Sequence, residues 1–397
     1  MKRLVVLLAV IAMVLAACTT AAEDDPDTET TAAGGDDGAA TTAAGGTATT
    51  AAGGDGGTAT TAAGGGGGGG AGATLAAVKE RGTLNCGVND AVPGFGFTDA
   101  EGNFSGFDID YCKAVAAAVL GDPEAVDYRP LTAQQRFTAI QSGEIDVLIR
   151  NTTWTATRDG TEGATFLTTT FYDGQGMLVR SDSGITEVDG LEGSAICVLS
   201  GTTTELNLAS RMAGLDYTPL TFEDNEPLQA AFLQGQCDGW TSDKSQLAGV
   251  RSAWPEGEGG PEAVTILDET FSKEPLGPVV ADGDSEWAQI VDWVVIATIA
   301  AEEKGIESGN IDTFSDSEDT EIRRLLGLEV EDEEGNLATF DAGLGLDSGW
   351  AVNVIEAVGN YGEIYARNVG PETALGLERG LNALWTDGGL QYAPPYR

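Results

Sequence analysis

From Thr132 to Thr153 the chain first places apolar residues at helical spacing and then at alternate positions. Thr132 and Gln135 make a capping-box pattern, Phe137 and Ile140 supply an apolar stripe, and Gly143 stops the predicted helix. Ile145, Val147 and Ile149 then occupy alternate positions, with Asp146 between the first two, which predicts a strand. The plan returns in EPLQAAFLQGQCDGWTSDKS. There Ala231, Gly235 and Asp238 keep one constant offset from Ala139, Gly143 and Asp146, and Asn151 corresponds to Asp243. Strands are also expected in GTLNCGV and GSAICVLSG, each carrying a cysteine and each followed by a turn and helical sequence.

A helix–glycine–strand unit occurring twice predicts two α/β lobes of similar design. Ligands of open α/β sheets bind beyond the carboxyl ends of the strands, so Asn151 and Asp243 belong at equivalent rims, facing each other across a cleft. FYDGQGMLVR reads as a strand leaving the first lobe, and SKEPLGPVVADGDSEW returns toward it. The first lobe is then discontinuous, 74–178 and 273–397, around a second lobe at 179–272. Two crossing strands form a hinge that permits closure. Further helices are expected in WAQIVDWVVIATIAAEEKG, ending at Gly305, and in DTEIRRLLG, GWAVNVIEAVGNYGEIYARNVG and ALGLERGLNALW.

The N-terminus changes the picture. Lys2 and Arg3 precede an apolar run too short for a comfortable membrane span but suited to a secretory signal over residues 1–17. The run ends in LAAC, which resembles the lipobox of bacterial lipoproteins and implies cleavage before Cys18 and acylation of its thiol. Residues 18–73 are almost wholly Ala, Gly, Thr and Asp, with the repeated unit TTAAGG. Such a segment has too few large apolar groups to offset chain entropy and is expected to act as a disordered tether. Roughly 55 residues of flexible chain have an r.m.s. span near 40 Å. The expected location is therefore extracytoplasmic, anchored to the cell membrane only through lipid.

Of five cysteines, four remain once Cys18 carries lipid. An even number in an exported chain favours disulfides. Four cysteines permit three pairings, and a bond between lobes would lock the cleft. Cys86–Cys112 and Cys197–Cys237, one within each lobe, are the expected pairs. The chain has no histidine, which removes the commonest general base and metal ligand. No catalytic residue, metal or cofactor is expected. A formal net charge of −43 argues against nucleic acid as a partner and against anionic membrane surfaces.

Against that acidic background, two arginines in RNTTWTATRDGT stand out. A small zwitterion needs a fixed positive group for its carboxylate and a fixed negative group for its ammonium. Arg158 can hold a carboxylate through two parallel N–H···O bonds. Thr153 adds a hydroxyl and a backbone N–H, and the Asn151 carbonyl can accept from an ammonium. In SGTTTEL, Gly201, Thr202 and Thr203 lie between a strand and a helix start, where free N–H groups make an anion site. Asp243 supplies the carboxylate for the ammonium.

The order GFDIDYCKAVAAAV, RNTTWT, YDGQG, SGTTTELNLA, SKEPLGPVV, GNYGE and QYAPPYR resembles the general L-amino-acid-binding proteins of ABC importers from about Thr74 to Arg397. The resemblance implies an α/β, two-lobed periplasmic-binding-protein-like fold of class II, each lobe a sheet flanked by helices. It implies a monomer that captures free L-amino acids by lobe closure and delivers them to the membrane subunits of an ABC permease. In the wider superfamily, an arginine twelve residues after the strand aspartate clamps the ligand carboxylate; Asp146 and Arg158 have that separation. The ammonium-binding aspartate falls on Asp243 and the helix-start threonine on Thr203. Arg150 departs from the small polar residue of many relatives and is expected to face the variable side chain. The usual aromatic of the first turn has only Phe95 or Phe97 as a substitute. Two other functions share the scaffold: a sensor without transport, and an enzyme such as a dehydratase or a peptidoglycan-cleaving protein, for which Glu205 is the nearest acid.

Overall fold

A computed structural model describes residues 72–331 and 335–397. Two five-stranded sheets repeat one topology. In the first, the order is Val126–Pro130, Leu84–Val88, Val147–Leu148, Val279–Ala281 and Ala164–Phe166; in the second it is Tyr217–Phe222, Ser194–Leu199, Gly239–Asp243, Gln175–Arg180 and Val264–Ile266. The first three strands of each run parallel and the fourth runs antiparallel to both its neighbours. That fourth strand is in each case the one arriving directly from the hinge. The hinge pairs Phe171–Asp173 with Glu274–Leu276 antiparallel, Glu274 opposite Asp173.

The repeat seen in the sequence has a structural counterpart. Asp146 receives the Asn85 N–H on its carboxylate at 2.7 Å and returns its own N–H to the Asn85 carbonyl at 2.9 Å. Asp238 makes the same exchange with Ala195, at 2.9 and 2.8 Å. One carboxylate thus fixes the register of the central strand pair in each lobe. Gly143 and Gly235, with φ of 73° and 70°, end the preceding helices in the left-handed conformation. The Thr132–Gln135 capping box is reciprocal, at 3.1 and 3.3 Å.

Both faces of each sheet are covered at its centre, so the central strands are buried on both sides. In the second lobe Met177, Val179, Ile196 and Val198 join one core, while Leu178, Cys197, Leu199 and Trp240 join the other. Val147–Leu148 behaves likewise: Leu148 is buried opposite Val147, so the strand is enclosed rather than half-exposed. The helices Phe107–Leu120 and Ser285–Glu303 cover the first sheet, and the Trp287 indole donates to the Asp146 carbonyl at 2.8 Å. Cys86 is bonded to Cys112, and Cys197 to Cys237, with Cα separations of 6.1 and 5.7 Å.

Some expected boundaries differ. Ala73, grouped with the tether by composition, begins the helix Ala73–Arg81, and the Gly72 and Thr74 N–H groups donate to Asp284. The signal segment, Cys18 and the tether up to residue 71 lie outside the described residues. The predicted helix between Gly349 and Gly370 is two helices, Trp350–Val358 and Tyr361–Asn368. Gly359 at φ 78° breaks it, and a capping box between Asn360 and Glu363 starts the second. ALGLERGLNALW forms no α-helix, only a 3₁₀ turn at Gly380–Asn382 and the start of another. Gly376 and Gly380 are left-handed, and Asn382 exchanges two side-chain hydrogen bonds with the Tyr172 backbone of the hinge, at 2.7 and 3.1 Å.

Candidate ligand-binding site

Asn151 follows the Val147–Leu148 strand at the first-lobe rim with φ 31°, the one positive value at a non-glycine among the described residues. Asparagine tolerates this region better than most side chains. The turn is held where its N–H donates to buried Asp108 at 2.8 Å. The amide then reaches over the cleft: Nδ2 donates to Asp243 and to Gln246, each at 3.4 Å, and Oδ1 accepts from Asn89 at 2.6 Å. The two rim residues matched by the repeat therefore meet. The Asn151 side-chain carbonyl, expected to accept from an ammonium, accepts here from Asn89, which leaves it one further lone pair.

Beyond Asn151 the loop turns into a short helix, Ala156–Thr161, whose N-cap Thr155 accepts from the Arg158 N–H. The Arg158 guanidinium donates to the Thr153 carbonyl at 3.0 Å and, across the cleft, to the Gly201 carbonyl at 3.5 Å. Arg150 donates through Nε to the Leu131 carbonyl at 2.7 Å. A third arginine went unforeseen. Arg136, 3% exposed, sits on the first turn of the helix after Gln135, donates to Gly201 at 3.4 Å, and has a buried Nε without a hydrogen-bond partner. Arg136 and Arg158 both lie over the Phe137 ring, at 5.3 and 5.5 Å. Burial lowers the pKa of all three: Arg150 to about 10 with Asp108 opposing, Arg136 well below its ordinary value with Arg158 and Arg150 adding to the fall, and Arg158 less, held up by Glu274 and Asp243. Clustered buried cations make an anion in this space favourable.

The second lobe presents the opposite sign. Asp243 is 5% exposed, and its Oδ1 has no hydrogen-bond partner. Burial, then Asp173 and Glu274, push its carboxyl well above the ordinary range. Asp173, raised to about 6 mainly by burial, and Glu274 come from the paired hinge strands and were not foreseen as neighbours of Asp243. Glu274 accepts from the Thr203 hydroxyl at 2.8 Å and from Asn207 at 2.9 Å. Thr203 also meets Thr153 across the cleft at 3.4 Å.

The turn before the helix Thr203–Arg211 needs one correction. Thr202 caps the Glu205 N–H at 3.1 Å, and Glu205 reaches back to the Gly201 N–H at 2.9 Å. Gly201 therefore offers no free N–H for an anion; its carbonyl faces two arginines instead. Glu205 is a helix cap, which also accounts for its place in the first turn.

Asn151, Thr153, Arg158, Arg150, Thr202, Thr203 and Asp243 all line one cavity between the sheets, joined by Arg136, Asn89 and Gln246. The lobes stand so close that its central space is about 20 Å³, room for roughly one water. Gly201 lies outside it, on a neighbouring space of about 590 Å³. Phe95 is buried against Phe107 and Phe171 in the first-lobe core, and Phe97 is 39% exposed; neither lines the cavity. Arg136 was legible only as a helical residue, because nothing local says which face of that helix meets the other lobe. No group of residues suited to a metal occurs among the described residues.

A charged cleft between two lobes joined by paired strands defines a solute receptor. The chain belongs to the bacterial extracellular solute-binding proteins, family 3, whose model matches residues 84–326. It is 50% identical to the general L-amino acid-binding periplasmic protein AapJ of Rhizobium johnstonii, over 82% of this chain and 93% of that one. It is 48% identical to the glutamate/glutamine/aspartate/asparagine-binding protein BztA of Rhodobacter capsulatus, over 82% and 94%. Among solved structures, an ABC transporter periplasmic binding protein from Brucella ovis with glutathione bound has 47% identity and a TM-score of 0.76, covering 82% of this chain and 99% of that one.

Proposed function

We propose that this protein captures free L-amino acids outside the cytoplasm and hands them to the membrane subunits of an ABC permease. One observation carries the reading: buried Asp243, with an unpartnered oxygen, lines the same cavity as three buried arginines. That arrangement fits a zwitterion, whose carboxylate meets Arg158 and Arg136 and whose ammonium meets Asp243. The N-terminal residues of the helix beginning at Thr203 add a favourable dipole for the carboxylate. The lobes, 74–178 with 273–397 and 179–272, move as units about the paired hinge strands. Binding and closure involve no covalent chemistry, and the receptor acts as a monomer.

Relatives named as a general L-amino acid-binding periplasmic protein and as a putative amino-acid ABC transporter-binding protein support the transport role. Lipidation at Cys18 then tethers the receptor to the membrane; no helix of the described residues is long and apolar enough to cross it. Replacing Cys18 with Ala is expected to release the protein from the membrane fraction, and retention there would remove the anchor. A melting panel of the common L-amino acids tests the ligand class. At about 100 times the dissociation constant the stabilisation is roughly 2.7 kcal/mol. Shifts with sugars or organic anions and none with amino acids would overturn it.

A further inference from the structure

The central cavity shares Asn89, Arg150, Leu199 and Asn225 with a larger chamber of about 510 Å³ that is also walled by both lobes. Its charge is not uniform. Arg150, only 6% exposed, stands at the boundary with the central cavity, its Nε tied to Leu131 and its two terminal nitrogens without a hydrogen bond among the described residues. The remaining charged wall is acidic: Asp90 from the first lobe, and Glu223, Asp224 and Glu226 from the second, all exposed. Asp224 holds the N-cap position of the helix Asn225–Leu233 yet makes no capping bond. Burial lowers the Arg150 pKa, and Asp108, Asp90 and Asp224 hold its charge in place.

We infer that this chamber receives the ligand side chain and sorts it by length and charge, through Arg150 near the α-groups and the carboxylates of Asp90, Glu223, Asp224 and Glu226 farther out. A short side chain ending in a carboxylate or amide reaches Arg150. A long side chain ending in a cation passes it and meets the acidic rim. One chamber then accepts acidic, amide and basic amino acids without a separate pocket for each, which deepens the proposed function and rests on it. The buried arginine acts strongly at short range, whereas the exposed rim is screened by salt and acts more weakly.

Calorimetry on the full chain with L-alanine, L-glutamate, L-glutamine and L-arginine tests this. Neutralising the rim with Glu223→Gln, Asp224→Asn and Glu226→Gln together is expected to weaken arginine roughly tenfold relative to alanine, and to leave glutamate equal or tighter. Arg150→Met is expected to weaken glutamate relative to alanine and to favour arginine. The preference for arginine in the unmodified protein also falls as salt rises. The rim positions are exposed, so that variant keeps its fold even if Arg150→Met does not. Equal scaling of all four ligands by the rim variant would overturn the inference while leaving the receptor reading intact. Failure of all four to bind the unmodified protein would remove that reading and this inference with it.

Discussion

In each lobe a helix, a left-handed glycine and a short strand deliver one polar residue to the cleft: Asn151 in the first and Asp243 in the second. At Asn151 the backbone turns left-handed and continues into the arginine loop. At Asp243, with φ −56° and ψ 136°, the chain enters the helix Lys244–Ser252 directly, and the carboxylate does not cap it. Asparagine bridges the lobes with its amide; the aspartate keeps one oxygen unpaired. The shared scaffold fixes where a side chain stands, and the residues on either side fix its charge. A cleft with cations on one wall and carboxylates on the other follows from one plan used twice.

Four experiments probe that difference. The largest effect is expected from untying a lobe. Cys197→Ser with Cys237→Ser opens a loop of sequence separation 40, and the matching pair at Cys86 and Cys112 one of 26. In the chain-entropy model each bond contributes about 3–4 kcal/mol. Chemical denaturation of both double variants measures it, and equal stability to the parent would show that packing alone holds that lobe.

Next come the opposed charges. Arg158→Ala removes one of the two arginines that meet the ligand carboxylate, and Asp243→Ala leaves its ammonium unpaired. Losing one member of such a desolvated pair typically costs 2–5 kcal/mol, and about 3 kcal/mol is a loss near 150-fold. Both are expected to weaken every amino acid by a similar factor in calorimetry, because the groups they meet are common to all. A variant binding as tightly as the parent would remove that residue from the clamp.

A third experiment uses pH. Asp243 must be ionised to hold an ammonium, and its pKa is raised by burial, then by Asp173 and Glu274. Amino-acid affinity is therefore expected to fall as pH drops through that raised value, by about tenfold per unit below it. The contribution of Asp108 to the stability of the ligand-free protein carries the opposite sign. Asp108, pushed up to about 6 by burial, binds its proton more tightly folded than unfolded. Its contribution to stability grows as pH falls from about 6 toward the unfolded value near 4. Asp108→Asn is expected to flatten that slope in melts across this range, and an unchanged slope would assign the proton elsewhere.

The smallest effect is at the close approach of the lobes. Gly201 has φ 71°, and a Cβ there would stand 2.9 Å from Cγ of Gln134 in the other lobe. Gly201→Ala carries about 1 kcal/mol of backbone strain, plus a contact that exists only when the lobes are together. The backbone strain lowers the stability of the free protein by that amount, and the contact is expected to lower affinity several-fold besides. Unchanged affinity would show that closure tolerates the added methyl.

The repeat, the strands bearing cysteines, the hinge crossings and most of the first-lobe residues that line the cavity could be read directly from the chain. Each depends on residues near one another in sequence, such as Thr132 with Gln135 or Asp146 with the strand that follows. Arg136, Asp173 and Glu274 could not be assigned to the site, because their role depends on which face of a helix or hinge strand meets the opposite lobe. ALGLERGLNALW misled for a related reason. Its apolar spacing suits a helix, but Asn382 gains two hydrogen bonds from the hinge backbone in the turn that two left-handed glycines allow.

The sequence by itself determined two lobes, a hinge, and a polar residue of each lobe brought to matching rims, since local propensity and a repeated pattern suffice for these. Tertiary structure alone decided that three arginines share one buried wall, that Gly201 turns its carbonyl rather than its N–H toward them, and that burial, then the hinge carboxylates, raise the pKa of Asp243. Those outcomes depend on distances between residues far apart in the chain, and Coulomb interaction and desolvation are set by distance and burial, which no local pattern encodes.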